Sequence, residues 1–229
     1  MGECRVEGGE IIVAMILRSF DIHSPQLGRT FTVDLAEGLD AIHLDFIDSQ
    51  WAPLLQRQYD LAILHFFQLP TVDQTPEKWI ETQGNFGVQD QHWDWRKKSA
   101  IAPKSNRRVF SLLNASEVEA AMMLLFGKNS REPGASHPIA YVDYVAVAPW
   151  NRKPVQHPQR FRSLGTVMLG VAVETSMRNG HDGRCGLHSL PQSEGFYRKI
   201  GMKDFGIDSA YSSLRYFEFS AQAAKNFVK

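Results

Sequence analysis

The ten residues Ile139–Ala148, IAYVDYVAVA, restrict the fold of this chain more than any other segment. Apart from Asp143 they are β-branched, aromatic or alanine, the composition of a strand. Apolar side chains stand at odd and even positions alike, so both faces of the strand must be covered, as in the middle of a sheet with helices above and below. Pro149 ends the run, and a loop follows that carries Pro154, Pro158, Arg152, Lys153, Arg160 and Arg162. Leu164, Val167, Met168, Val171, Ala172 and Thr175 then recur at i, i+3 and i+4, which predicts a one-sided helix closed by Asn179 and Gly180. Arg184–Leu190 reads as another short strand. Ser193 is placed to cap a helix that carries Phe196, Tyr197 and Ile200 and stops at Gly201.

The flanking sequence extends this α/β pattern. Arg108–Leu113 and Val118–Phe126 read as two strands joined by a turn at Asn114, Ala115 and Ser116, and Leu214–Ser220 as a closing strand. Helix is expected over Pro76–Gln83 and Asp90–Ala100. Residues 1–78 form a divergent N-terminal part, an extension packed on the core, ahead of a main domain over 79–229. Within that part Ile11–Leu17 and Arg29–Leu35 look like strands, and the apolar run Asp60–Leu69 fits a strand or a buried helix. Trp51, Trp79, Trp93 and Trp95 are expected in the core.

Composition narrows the partners. Lys and Arg total 25, as do Asp and Glu, so net charge argues for neither nucleic acid nor an anionic membrane. Cys4 and Cys185 stand far apart without a CxxC, which excludes a disulfide framework and a cysteine-built metal site. Ile11–Leu17 is too short for a membrane span and lacks the basic flank of a signal peptide, so a cytoplasmic setting is expected. His137, His157 and His181 lack ligand spacing, and no metal is expected.

The chemistry points to the loop before the long helix. The first N–H groups of a helix have no intrahelical partner and its dipole favours negative charge, so a strand feeding a helix makes an anion site. Arg160-Phe161-Arg162-Ser163-Leu164-Gly165-Thr166 adds two arginines to such a start, and Gly165 lets a phosphate approach the backbone.

Here the sequence resembles the Gcn5-related N-acetyltransferases (GNAT). Val147-Ala148-Pro149 is similar to the family's strand ending. Arg160-x-x-Ser163-x-Gly165 is similar to its pyrophosphate motif, with Ser163 where a glycine is usual. Phe196-Tyr197-Arg198-Lys199-Ile200-Gly201-Met202 is similar to its short-helix signature. The three lie in the family's order over roughly the last half of the chain. Ten residues, Trp150–Gln159, separate the first two motifs where the family usually has two. This insertion is expected to be a surface loop that reaches toward a phosphate of the cofactor, with Arg152 near it, or toward the acceptor.

The resemblance implies a mixed, strongly twisted sheet with helices on both faces and a cofactor cleft where two central strands splay. It implies acetyl-coenzyme A as co-substrate, held by Val145, Ala146 and Val147 along the pantetheine and by Arg160, Arg162, Ser163, Leu164, Gly165 and Thr166 at the pyrophosphate. It implies Tyr197 as the acid for the leaving thiolate. Asp143 is the expected base, sharing a strand face with Val145 and Val147 by the period of two. His188 reads more readily as a hydrogen-bonded core histidine, and Glu194 as a helix N-terminal charge. The acceptor would be a small-molecule amine or a protein amine, with no nucleic acid or membrane partner and a homodimer left open. The alternative is a non-catalytic acyl-CoA-binding or scaffold protein with Asp143 and Tyr197 turned away from the cleft.

Overall fold

The structure is a computed structural model that describes residues 14–134, 136–155 and 157–229. The first residues of the strand expected over 11–17 lie outside this range, and the strand seen there begins at Met15. Among the described residues eight strands are formed: β1 Met15–Ser24, β2 Arg29–Glu37, β3 Arg107–Asn114, β4 Glu117–Asn129, β5 Pro138–Val147, β6 Cys185–Ser189, β7 Lys203–Asp208 and β8 Leu214–Phe219. They make one sheet in the order β1-β2-β3-β4-β5-β6-β8-β7. All neighbours run antiparallel except β5 and β6. That parallel pair needs a crossover, and α5, Leu164–Arg178, supplies it.

The apolar composition of β5 has the consequence expected of it, because both faces of the sheet are covered. On one face α5 lays Met168 and Ala172 against Leu112, Met122, Val142 and Phe217, and Ala224 of α7, Ala221–Phe227, joins them. The opposite face is closed by α1, Ala41–Phe46, the turn holding Trp51, and α4, Trp95–Ile101. There Trp51 and Trp95 pack on Val109, Met123 and Ala146.

Part of the N-terminal region belongs to this sheet, since β2 pairs with β3 from Asp34↔Leu113 to Glu37↔Phe110. The boundary drawn at residue 78 falls inside α3, Pro76–Phe86. The run Asp60–Leu69 lies mostly in α2, Ala52–Gln68, a helix rather than a strand. It is not buried: of its apolar residues only Leu55 and Ala62 are, while Leu61, Leu64 and Phe67 are exposed. Its Tyr59 and Phe66 hold α3 instead, through edge contacts to Trp79 at 5.7 and 5.2 Å. Among the described residues no helix is long and apolar enough to cross a membrane.

Candidate active site

Strands β5 and β6 touch only where Ala140 and Tyr141 pair with Cys185 and Gly186. Beyond that point they separate, and the short helix α6, Glu194–Lys199, carries Tyr197 to the gap. The backbone of β5 beyond the gap is left with a free edge. The Ala148 N–H donates back to the Glu119 carbonyl of β4 at 2.8 Å. In an antiparallel ladder successive residues turn their polar groups to opposite sides, so Val147 and Val145 turn theirs away from β4, toward the opening.

A cavity of about 330 Å³ fills this opening, lined by Val145, Ala146 and Val147 of β5 and by Ser163, Leu164, Gly165 and Thr166 at the start of α5. The first helical N–H with a backbone acceptor there is that of Val167, which reaches Ser163 O at 3.0 Å. The N–H groups of Leu164, Gly165 and Thr166 therefore occupy the unpaired first turn, the feature that suits an anion. The turn is fixed from behind, where Asn151 Oδ1 accepts from the Phe161 N–H at 2.8 Å and Trp150 O from the Arg160 N–H at 3.1 Å.

Ser163 has φ +63° and ψ 8°, the left-handed conformation that glycine adopts freely. Serine stands there at a steric cost, and a β-branched residue would cost more. Denaturant unfolding is expected to show Ser163→Val less stable by about 1–2 kcal/mol and Ser163→Gly no less stable than the parent.

Arg152 of the insertion lines the same cavity as residues 163–166, while Lys153, Pro154, His157 and Pro158 are exposed. Trp150–Arg152 is not a surface loop: Asn151 and Arg152 are buried. Arg152 donates to Asp90 Oδ1 and Oδ2 at 2.6 and 2.8 Å, to Gly87 O at 2.8 Å and to Val147 O at 2.8 and 3.0 Å. It borders the cavity with its charge matched by Asp90. The turn is pulled inward by Glu119, fully buried on β4, which accepts from Trp150 Nε1 and Asn151 Nδ2 at 2.7 Å each. Burial raises the Glu119 pKa, and these two donors together with Arg160 oppose the rise. Arg160 itself pairs with Glu117 and Glu119 and does not line the cavity. Arg162 is exposed and lines a neighbouring depression with Ser163, Asp21 and His23.

A second cavity, of about 580 Å³, opens on the other side of the gap. Trp93, Tyr141, Asp143, Tyr144, His188 and Tyr211 line it, and it shares Val145, Ser193 and Tyr197 with the first. Tyr197 thus stands at the junction. Burial raises its pKa, so it keeps its proton throughout the neutral range. Buried Cys185 nearby is pushed up to about 12 and is a poor nucleophile.

Asp143 requires a correction. The pairing of β4 with β5 slips between Met123↔Tyr144 and Leu124↔Val142, so Asp143 is the extra residue of a β-bulge. The alternation reverses across a bulge. Asp143 therefore lies on the face of Tyr144, beside Arg107 Nε at 2.9 Å, and not on the face of Val145 and Val147. Glu194 is held by Arg198 and Arg215 at 2.8 and 3.1 Å.

Several residues of the two cavities were not foreseen. Asp90 is 62 residues from Arg152. Gln192 lines the first cavity and is held by Gln89 behind it, through Gln192 N–H to Gln89 Oε1 at 2.9 Å, 103 residues away. No local spacing connects such pairs.

No family model and no curated protein sequence matches the chain. Similar solved structures include a bacterial toxin, at 12% identity over 61% of this chain and 79% of that chain with a TM-score of 0.45. They also include the PaiA N-acetyltransferase of Thermoplasma acidophilum in complex with coenzyme A, at 10% identity over 81% of this chain and 97% of that one, TM-score 0.44. A Desulfovibrio desulfuricans protein assigned to the GNAT acetyltransferases has 13% identity over 82% and 99%, TM-score 0.42. The architecture itself is a mixed eight-stranded sheet with helices on both faces. At these identities and TM-scores the likeness says nothing about substrate or activity.

Proposed function

We propose that this protein is an N-acetyltransferase that moves an acetyl group directly from acetyl-coenzyme A to an amine. The observation that carries the reading is the junction: two cavities on opposite sides of the splayed strands meet at Val145, Ser193 and Tyr197. A thioester donor and an amine acceptor entering from opposite sides would meet there. An inert binding protein has no need of the second cavity, nor of a protonated hydroxyl between the two.

In this reading the free edge of Val145 and Val147 pairs with the pantetheine amides as an added strand would. Arg152 already takes the Val147 carbonyl, which leaves the Val147 N–H and both polar groups of Val145 for the ligand. The N–H groups of Leu164, Gly165 and Thr166 hold the pyrophosphate, and exposed Arg162 beside Ser163 adds a cation at the rim. Arg160 steadies the loop through its two carboxylates and contributes no phosphate contact. Tyr197 gives its proton to the sulfur as the C–S bond breaks. Asp143, with Arg107 on one oxygen, draws the ammonium form of the acceptor to the second cavity, where it gives one proton to solvent before the neutral amine attacks.

The test is release of free thiol from acetyl-coenzyme A across a panel of primary amines, with calorimetry for the cofactor alone. Micromolar affinity is expected, about 8 kcal/mol. A Cβ at Gly165 would meet only the Phe196 ring, at 3.6 Å, so the fold tolerates a side chain there. Gly165→Val is expected to weaken acetyl-coenzyme A binding at least about tenfold, or 1.4 kcal/mol, with the melting temperature unchanged. Unchanged affinity in that variant would remove the helix start from the site.

A further inference from the structure

The acceptor-side cavity contains a chain of hydrogen bonds that the roles above do not use. His188 Nδ1 lies 2.7 Å from the Tyr141 hydroxyl, and His188 Nε2 lies 3.0 Å from Asp208 Oδ2. Tyr141 and His188 both line the cavity, and Asp208 closes the chain from the end of β7. The Tyr211 ring stacks on the imidazole with centroids 4.0 Å apart and planes 7° from parallel, which holds the ring in orientation.

We propose that Tyr141, His188 and Asp208 form a proton relay that serves the acceptor amine, on the reading that this site performs acetyl transfer. As the amine nitrogen bonds to the thioester carbon, its proton passes to Tyr141 Oη while the tyrosine's own proton passes to His188 Nδ1. The resulting imidazolium is paired with the Asp208 carboxylate. Tyr197 protonates the departing sulfur, and one proton returning from His188 to Tyr197 through Tyr141 and water restores both. Tyr141 touches the acceptor in this scheme, and His188 and Asp208 act through it.

The tautomer follows from the partners. An ionised carboxylate only accepts, so Asp208 requires a proton on Nε2 and leaves Nδ1 as the base. Arg131 Nη2 also lies 3.3 Å from Nε2, but it has Asp208 itself as a closer partner. Hydrogen bonds from Arg131 and His188 hold Asp208 at about 2, so the carboxylate is ionised at any working pH.

The groups around the imidazole come from five directions: Tyr141 on β5, Arg131 after β4, Asp208, Tyr211, and Tyr216 on β8. Farther off, Lys128 binds the Tyr211 hydroxyl at 2.9 Å and Glu218 accepts from Tyr216 at 2.8 Å. Burial lowers the His188 pKa, Asp208 opposes the shift, and Arg131 adds to it. The sign suits a base, because the resting imidazole is neutral at pH 7 and the relay fails only as pH falls through a value below the ordinary 6.5.

The experiment has two parts on the full chain. Nitrogen-15 spectra of the histidines across pH should show His188 as the Nε2–H tautomer, and an Nδ1–H tautomer overturns the relay whether or not an amine is turned over. In the thiol-release assay, Tyr141→Phe and His188→Gln are each expected to lower kcat by about 10²-fold, with acetyl-coenzyme A affinity kept and the acidic limb of the pH profile lost. The double variant should be no slower than the slower single one, because a relay broken twice is broken once. Multiplicative losses, or wild-type rates in either single variant, overturn the relay and leave acetyl transfer standing. An absence of turnover on every amine overturns the transfer reading and the relay with it.

Discussion

Tyr197→Phe is expected to reduce kcat by about 10²–10⁴-fold, the loss typical of a positioned proton donor, with KM for acetyl-coenzyme A nearly unchanged. The change deletes one oxygen from a side chain whose ring packs against Phe217 and Phe196, and those contacts survive. Binding and stability should therefore be spared. The rate should not be, because Tyr197 lines both cavities where they join. Burial keeps the phenol protonated, so its donor form persists across neutral pH and the wild-type rate should show no loss from this group as pH rises toward 9. Steady-state kinetics beside calorimetry separates the outcomes. A phenylalanine variant with near wild-type kcat would end the acid role, and one with weakened cofactor binding would make Tyr197 a packing residue.

Arg152→Ala should cost about 3–5 kcal/mol of folding stability, the usual consequence of leaving one member of a buried ion pair alone. The side chains of Arg152 and Asp90 are 8% and 6% exposed, so the Asp90 carboxylate would be stranded with little water. The carbonyls of Gly87 and Val147 would lose their donor at the same time. Removing both charges is a different matter, because apolar replacement of a buried pair is often close to neutral. Arg152→Met with Asp90→Leu is thus expected to recover much of the loss in urea unfolding of the unliganded chain. Equal destabilisation of the single and double variants would assign the effect to the carbonyls instead. Lys153, exposed one residue farther on, serves as the control and should be silent when replaced by alanine.

Elements whose signal is local were legible without coordinates. The strand at 139–148, the helix starting at Leu164, and the short helix carrying Tyr197 each announce themselves through side-chain periodicity and bounding Pro or Gly, and all are present. Ser163 was readable as an odd residue at a glycine position, and its positive φ gives the reason. Periodicity fails where one residue is inserted. A strict period of two puts Asp143 with Val145 and Val147, and the bulge moves it to the opposite face. It also fails for α2, where a dense apolar run turns outward because only one side of the helix meets α3.

The amino-acid sequence by itself determined the α/β class, the central strand and the helix start at Leu164, because each depends on residues within one turn or one strand of each other. Only the tertiary structure decided how the charges are paired. Arg152 lines the first cavity with Asp90 beside it, and Arg160 meets Glu117 and Glu119, all three carboxylates on other elements. His188 is the hydrogen-bonded histidine expected of it, its side chain buried, but only the fold named its partners, Tyr141 and Asp208, 47 and 20 residues away in the chain. A desolvated charge takes whichever opposite charge the fold brings within 3 Å, and sequence spacing carries no record of that encounter.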